Sequence, residues 1–260
     1  MIAPRSYPGT QAVVRAVGLL KAFSDARPEW RLTDLAHAAR LHKATAYRLL
    51  AALEREGMVT RDAGGELYRL GPEAIVLGAR AARASDLRAT AAPELRALAA
   101  DTGETATLEV PVGSDMLILD EVAGPALLGA VPEVGTRWPG HATSTGKALL
   151  AVLPEARRRD RLAPRLSRLT ARTIVTVAAL EREMARIRRR GYAVAVEELE
   201  RGYVAVGAAV RDHEGLPVAA ISVGGPRLRF PAARQAILGR RVQAAAARVS
   251  AALGYRSGAC

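Results

Sequence analysis

Cysteine is almost missing from this chain of 260 residues: a single copy stands at the last position, Cys260. That excludes an intrachain disulfide and a thiolate metal cluster. Histidine is sparse as well. His37, His42, His141 and His213 are scattered without ligand spacing, so no metal site is expected. Long apolar runs are lacking. No stretch reaches the ~18 consecutive apolar residues of a membrane helix. The opening MIAPRSYPGT has no apolar signal core. The expectation is a soluble, cytoplasmic protein without a membrane partner. Lysine appears only at Lys21, Lys43 and Lys147 among 38 basic residues.

What the chain has is apolar mass and positive charge. Half of the residues are hydrophobic, and the length suits two ordinary domains. The formal net charge is +12, which favours polyanions through a general electrostatic term. A GC-rich coding sequence produces the same arginine and alanine bias, so charge alone does not establish DNA binding.

Residues 32–59, LTDLAHAARLHKATAYRLLAALEREGMV, carry the most specific pattern. Apolar residues recur at helical spacing at Leu32, Leu35, Ala36 and Ala39, then at Ala46, Leu49, Leu50 and Leu53. The shift of phase near residues 40–42 predicts two short helices around a turn, with Thr33 placed to cap the first. Lys43, Ala44, Thr45, Tyr47 and Arg48 lie off the apolar face. This is the helix-turn-helix pattern. Lys43, Thr45, Tyr47 and Arg48 are the expected DNA-facing residues, with Arg40 as a phosphate contact.

A helix over residues 11–23 precedes this unit, with Val13, Val17, Leu20 and Phe23 set to pack beneath it; residues 25–30 read as a loop. After it, Gly57 stops the recognition helix. Strands at 58–60 and 67–70 around the DAGGE turn form a hairpin, the wing of a winged helix. Arg61 and Arg69 flank it as further phosphate contacts. Three divisions follow: residues 1–70 as a winged helix-turn-helix domain, 71–90 as a linker helix, and 91–260 as a second domain, which the family resemblance described below implies to be effector-binding.

The second half changes period. Strands are expected at 105–110, 116–121, 127–131, 192–196, 204–210 and 217–223. Helices are expected at 87–100, 143–153, 154–162, 176–190 and 231–253, the last with Ile237, Val242 and Val249 on its apolar side. Strands grouped with helices before, within and after them define an α+β class, not a βαβ series.

Four stretches, in order, resemble the isocitrate-lyase-regulator (IclR) family of bacterial transcription factors. They are RAVGLLKAF leading into residues 32–59; TGETATLEV at 102–110; GHATSTGKALLA at 140–151; and GYAVAVEELERGYVAVGAAVRDHEG at 191–215 with AAISVGGP after it. The resemblance covers nearly the whole chain. It implies a winged helix, a linker helix and a GAF-like domain with a mixed or antiparallel sheet that binds a small organic acid. It also implies homodimers, often paired as tetramers, on palindromic double-stranded operators of catabolic operons.

GHATSTGK invites two enzyme readings. Gly140 and Gly146 are separated by five residues, and Ala148 follows the lysine, so the phosphate-loop pattern fails and no nucleotide cofactor is expected. Ser144 and Lys147 fit the Ser-x-x-Lys spacing of some serine acylases, but the companion motifs are absent; a serine hydrolase built on this pair is the alternative function. The physical reading is a helix N-terminus whose free backbone N–H groups form an anion site. The resemblance implies that Ser144 and Thr145 hold an effector carboxylate there, with Leu127, Ala130, Ala195, Ala205, Ser222 and Gly224 as pocket walls. Family members commonly carry Asp at the position of Ala195, Cys or a similarly small residue at that of Ala205, and in some cases Ser at that of Gly224. Their loss removes polar groups and volume together. That argues against a very small polar effector such as glyoxylate and for a bulkier carboxylate such as an aromatic acid. Ordinary small core positions in an alanine-rich chain would read the same way. Glu197 and Glu198, as strand neighbours, should face apart. The arginine run at 157–161, interrupted by Asp160, reads as a solvated helix face.

Overall fold

A computed structural model describes residues 10–24, 26–83, 85–125, 133–163 and 165–256. The chain divides into two compact units, residues 1–84 and 85–260.

In the first unit, α1 (Gln11–Leu20), α2 (Leu32–Ala38) and α3 (Lys43–Arg55) surround a core of Leu19, Leu35, Ala36, Ala46 and Leu50. The helical phase of α2 and α3 is the one the apolar spacing gives. A three-stranded antiparallel sheet closes the unit in the order β1 (Trp30–Arg31), β3 (Leu67–Leu70), β2 (Val59–Arg61). Its β1 strand falls at the end of a stretch expected to be loop: Trp30 pairs with Tyr68, and both rings enter the core. Because that strand runs directly into α2, Arg31 occupies the N-cap position and Thr33 lies inside the helix without capping it. The first helix stops at Leu20. Val13 and Val17 are exposed, so Leu19 with Leu20 and Phe23 supplies the packing expected of them. α4 (Pro72–Arg83) completes the unit.

The second unit opens with α5 (Asp86–Thr102), capped by Ser85 and ended by Gly103. Since α5 shares the core of this unit, residues 85–90 belong with it and not with a linker. One six-stranded sheet follows, antiparallel throughout, in the order β6 (Arg137–Pro139), β5 (Asp115–Val122), β4 (Thr105–Val112), β9 (Pro217–Pro226), β8 (Tyr203–Arg211), β7 (Ala193–Val196). On one face α5 and α9 (Ala232–Ala252) pack over Leu108, Val204, Val206, Ile221 and Val223. On the other face α6 (Ser144–Val152) and α8 (Val177–Arg190) bury Leu149, Leu180, Met184 and Ile187 beside Ala193 and Ala220. α7 (Glu155–Arg159) is a short surface helix. On α9 the buried position is Leu238; Ile237, expected on the apolar side, is exposed. The strand expected at 127–131 lies outside the described residues.

α6 is buried on every side from Ser144 to Ala151. Its first turn is wedged between a 3-10 turn and the sheet, and two glycines make the fit. A Cβ on Gly207 of β8 would stand 3.0 Å from Ser144, and one on Gly146 would overlap the Gly140 carbonyl oxygen. Gly146→Ala ought to stabilise a helix interior by up to about 1 kcal/mol from propensity. Here it is expected to destabilise the second unit instead, by about 1–3 kcal/mol through overpacking. Denaturant unfolding of the purified chain reads the sign.

Candidate functional site

The residues expected to face DNA all lie in the first unit. The turn between α2 and α3 contains no glycine because Arg40 itself takes the left-handed conformation, φ +54°, and its amide donates to the His37 carbonyl at 3.0 Å. The Leu41 amide reaches Ala36 at 2.8 Å. Arg40, Lys43, Tyr47 and Arg48 are exposed around the opening of α3, and Thr45 is half-buried. Among the described residues Arg40, Lys43 and Arg48 enter no ion pair. The two wing arginines differ. Arg61 donates to Glu54 at 2.8 and 3.1 Å and lies over the Tyr68 ring, and Arg69 pairs with Glu29 at 2.6 Å. The wing turn is pinned by Asp62, whose carboxylate accepts from the Glu66 and Leu67 amides at 2.9 Å; these bonds hold its pKa below the usual range.

In the second unit the expected effector residues converge on the α6 side of the sheet. Ala195, Ala205, Gly224 and Thr105 form one rung across β7, β8, β9 and β4. Two residues along, Ala193, Gly207, Ser222, Thr107 and Glu121 form the next rung on that face. Ser144 and Thr145 rest on Gly207. Leu127 and Ala130 lie outside the described residues.

Three polar residues that sequence reasoning passed over share this face. Glu109 on β4 is 94 % buried, and its two carboxyl oxygens meet Thr145 Oγ1 at 2.6 Å and Thr107 Oγ1 at 3.0 Å. Thr107 Oγ1 also lies 2.8 Å from Ser222 Oγ. Burial pushes the Glu109 pKa up, against the two hydroxyl bonds. Tyr203 sets its hydroxyl where a side chain at Gly224 would stand, so the volume that glycine leaves is already filled. Its phenol is kept protonated by burial and by the nearby Glu109 and Glu104 carboxyls. The face beneath α6 therefore carries Thr107, Glu109, Ser222 and the Tyr203 hydroxyl beside the small apolar Ala195 and Ala205. The signal was present in TATLEV, where Thr105, Thr107 and Glu109 alternate with Ala106, Leu108 and Val110.

The enzyme reading fails on Lys147. Its ammonium is fully buried, bonded to the Glu198 carboxylate and to the Val194 carbonyl at 2.8 Å, so it is not a free base for Ser144. Glu197 and Glu198 do face apart, but through a turn in which Glu197 has φ +54°, not through strand alternation. Glu197 pairs with Arg172 and Arg227. In the arginine run the pairs form with Glu155 and Glu181; Asp160 makes none among the described residues.

A winged helix with exposed cations at the start of its recognition helix, in a chain whose other unit holds a buried polar cluster beneath a helix N-terminus, fits one class: ligand-sensing transcriptional regulators. Comparison with known proteins narrows it. Residues 79–251 match the family model for the bacterial transcriptional regulator IclR C-terminal domain, and residues 12–63 match the IclR helix-turn-helix domain. The chain is 31% identical over 249 residues to the transcriptional regulator XynR of Escherichia coli, covering 95% of this chain and 99% of that one. It is 33% identical over 249 residues to the acetate operon repressor of Salmonella typhimurium, covering 94% and 90%. An IclR homologue from Microbacterium hydrocarbonoxydans, solved in complex with 4-hydroxybenzoate, superposes with a TM-score of 0.76 at 27% identity, covering 93% and 98%. The chain belongs to the IclR family: it is a DNA-binding transcriptional regulator with an effector-binding C-terminal domain, and not an enzyme.

Glu198→Gln strands a buried ammonium and is expected to cost about 3–5 kcal/mol, whereas Lys147→Met combined with Glu198→Leu should recover most of it. Urea midpoints of the single and double variants decide the point.

Proposed function

We propose that this regulator binds a palindromic operator as a homodimer, or as a pair of dimers, and releases or engages it when the C-terminal domain takes up a small organic acid. One observation carries the DNA half: Arg40, Lys43 and Arg48 surround the start of α3 with no ion pair among the described residues. Arg48 is assigned to base reading, Lys43, Tyr47 and Arg40 to phosphates, and Thr45 to either. Arg61 and Arg69 reach DNA only by leaving Glu54 and Glu29, so their contributions are smaller. Two recognition helices about 34 Å apart would fit successive major grooves. Pairing of copies is supported by the exposed Val13, Val14 and Val17 of α1 and Ile75 of α4.

The acid half rests on the first turn of α6, where helix-terminal N–H groups favour an anion, and on the homologue that holds 4-hydroxybenzoate. An aromatic carboxylate is the assigned class, with Ser144, Thr145, Ala195, Ala205, Ser222, Gly224, Leu127 and Ala130 around it. Effector control follows when the acid has unequal affinity for the DNA-competent and DNA-incompetent arrangements. The cytoplasm is the assigned compartment; no described helix is long and apolar enough to cross a membrane.

The test uses an operator selected from random duplexes by the wild-type chain. Arg48→Ala should lose about 1–3 kcal/mol of affinity and relax sequence preference at one position in each half-site. Lys43→Ala should weaken all sequences alike and lower the salt slope by about 1. Fluorescence anisotropy at several salt concentrations separates the two. Unchanged binding by both variants would remove α3 from the DNA interface.

A further inference from the structure

The first turn of α6 does not present an open anion site: one of its two hydroxyls, that of Thr145, already holds Glu109 at 2.6 Å. Among the described residues no cation pairs with that carboxyl. Lys147, one turn along α6, is committed to Glu198, and β9 contributes only Ser222 and Ala220 beside it. On β5 the residue paired with Glu109 is Ile118, and Glu121, itself raised in pKa by burial, stands opposite Thr107; from β8 the neighbouring group is the Tyr203 phenol. Asp120 of β5 turns to Arg88 of α5, and His141 before α6 is held by the Ser167 carbonyl at 3.0 Å. A carboxylate brought to this turn therefore meets a second carboxyl in a site without a countercharge, and two such groups in contact cannot both stay ionised.

The hydroxyls around Glu109 serve either of its protonation states. With Glu109 ionised, Thr145 and Thr107 donate to it. With Glu109 neutral, its one O–H donates to whichever threonine turns its proton away, Thr145 toward Thr143 Oγ1 at 3.2 Å or Thr107 toward Ser222 Oγ at 2.8 Å, while the other threonine keeps donating to the second carboxyl oxygen. The chain Thr143–Thr145–Glu109–Thr107–Ser222 thus stays bonded when a proton arrives.

Resting on the organic-acid reading above, we propose that Glu109 makes effector binding proton-linked: the acid's carboxylate enters together with one proton, which resides on Glu109 and is shared between the two carboxyl groups. Glu109 is thereby a specificity residue, favouring monocarboxylates over dicarboxylates, whose second charge would find no partner there. Burial of the carboxyl supports the same direction. The sign for stability follows from linkage. A carboxyl whose folded pKa lies above its unfolded value stabilises the fold below the unfolded pKa, and that contribution is lost as pH rises through the folded pKa.

Calorimetric titration of the full chain with benzoate and 4-hydroxybenzoate at pH 6, 7 and 8, in phosphate and in Tris, counts the protons. Wild type should take up close to one proton per ligand at the upper pH values, with affinity falling toward tenfold per pH unit. Glu109→Gln, which copies the neutral carboxyl, should bind both acids with no proton uptake and no such fall. Its melting temperature should match wild type at acid pH and exceed it at pH 8. Tight wild-type binding without proton uptake, or binding lost in Glu109→Gln at every pH, would overturn the proton link while leaving the organic-acid reading standing. Absence of binding by both proteins to both acids at pH 6 would overturn the aromatic-acid assignment and this inference with it. Should Glu109→Gln fail to fold, the proton count on wild type alone decides the matter.

Discussion

A buried ammonium has to be answered by something, and in this chain the answer positions the first turn of α6. Lys147 sits inside the second unit with its charge met by Glu198 and by the Val194 carbonyl. An uncompensated charge at such depth would cost several kcal/mol, so α6 cannot slide or rotate away from β7 and the turn after it. That turn is fixed in its own right: Thr170 and Thr173 donate to the Glu197 and Glu198 carbonyls at 2.6 and 2.7 Å. With one end of α6 tied in this way and its first turn seated on Gly207, Thr145 has a single place to be, and Glu109 meets it there. The pair contributes geometry more than net stability.

The positive charge of the chain divides by commitment. Arg229 and Arg234 clamp the buried Glu104, Arg248 holds Glu94, and Arg158 holds Glu181. These arginines staple elements of the second unit to one another and are unavailable to a polyanion. The uncommitted cations around the start of α3 are few, yet they sit together on one short exposed surface. A formal charge of +12 is therefore a poor guide to where nucleic acid would bind; a cluster of exposed cations that enter no ion pair among the described residues is a better one.

Most of the elements were legible because periodicity reports burial. The recognition helix, the wing, the capped helices ending at Gly103 and Gly191, and the hairpins of the sheet follow from spacing and turn residues. The misses have physical causes. β1 is two residues long, too short for alternation to show. Val13 and Val17 have the spacing of a packed face, but spacing does not say whether anything covers it. Ile237 and Leu238 are neighbours, and a helix of alanines gives no phase with which to choose between them. For the pocket, the position-by-position resemblance brought Ala195, Ala205, Ser222 and Gly224 together, yet it treated each as an isolated wall. What fills the space beside a small residue is set by another strand, here by Tyr203, and what faces a helix terminus is set by β4. Such pairings exist only in the sheet register.

Arg40 joins two demands in one residue. The turn before α3 requires a left-handed backbone, which costs a non-glycine residue of order 1–3 kcal/mol, while the proposed DNA face uses the same side chain as a cation. Selection of this regulator for heat resistance would drift toward glycine at that site and would yield a sturdier protein with a weaker hold on its operator. Libraries built to harden the scaffold therefore need to be scored for repression as well as for survival.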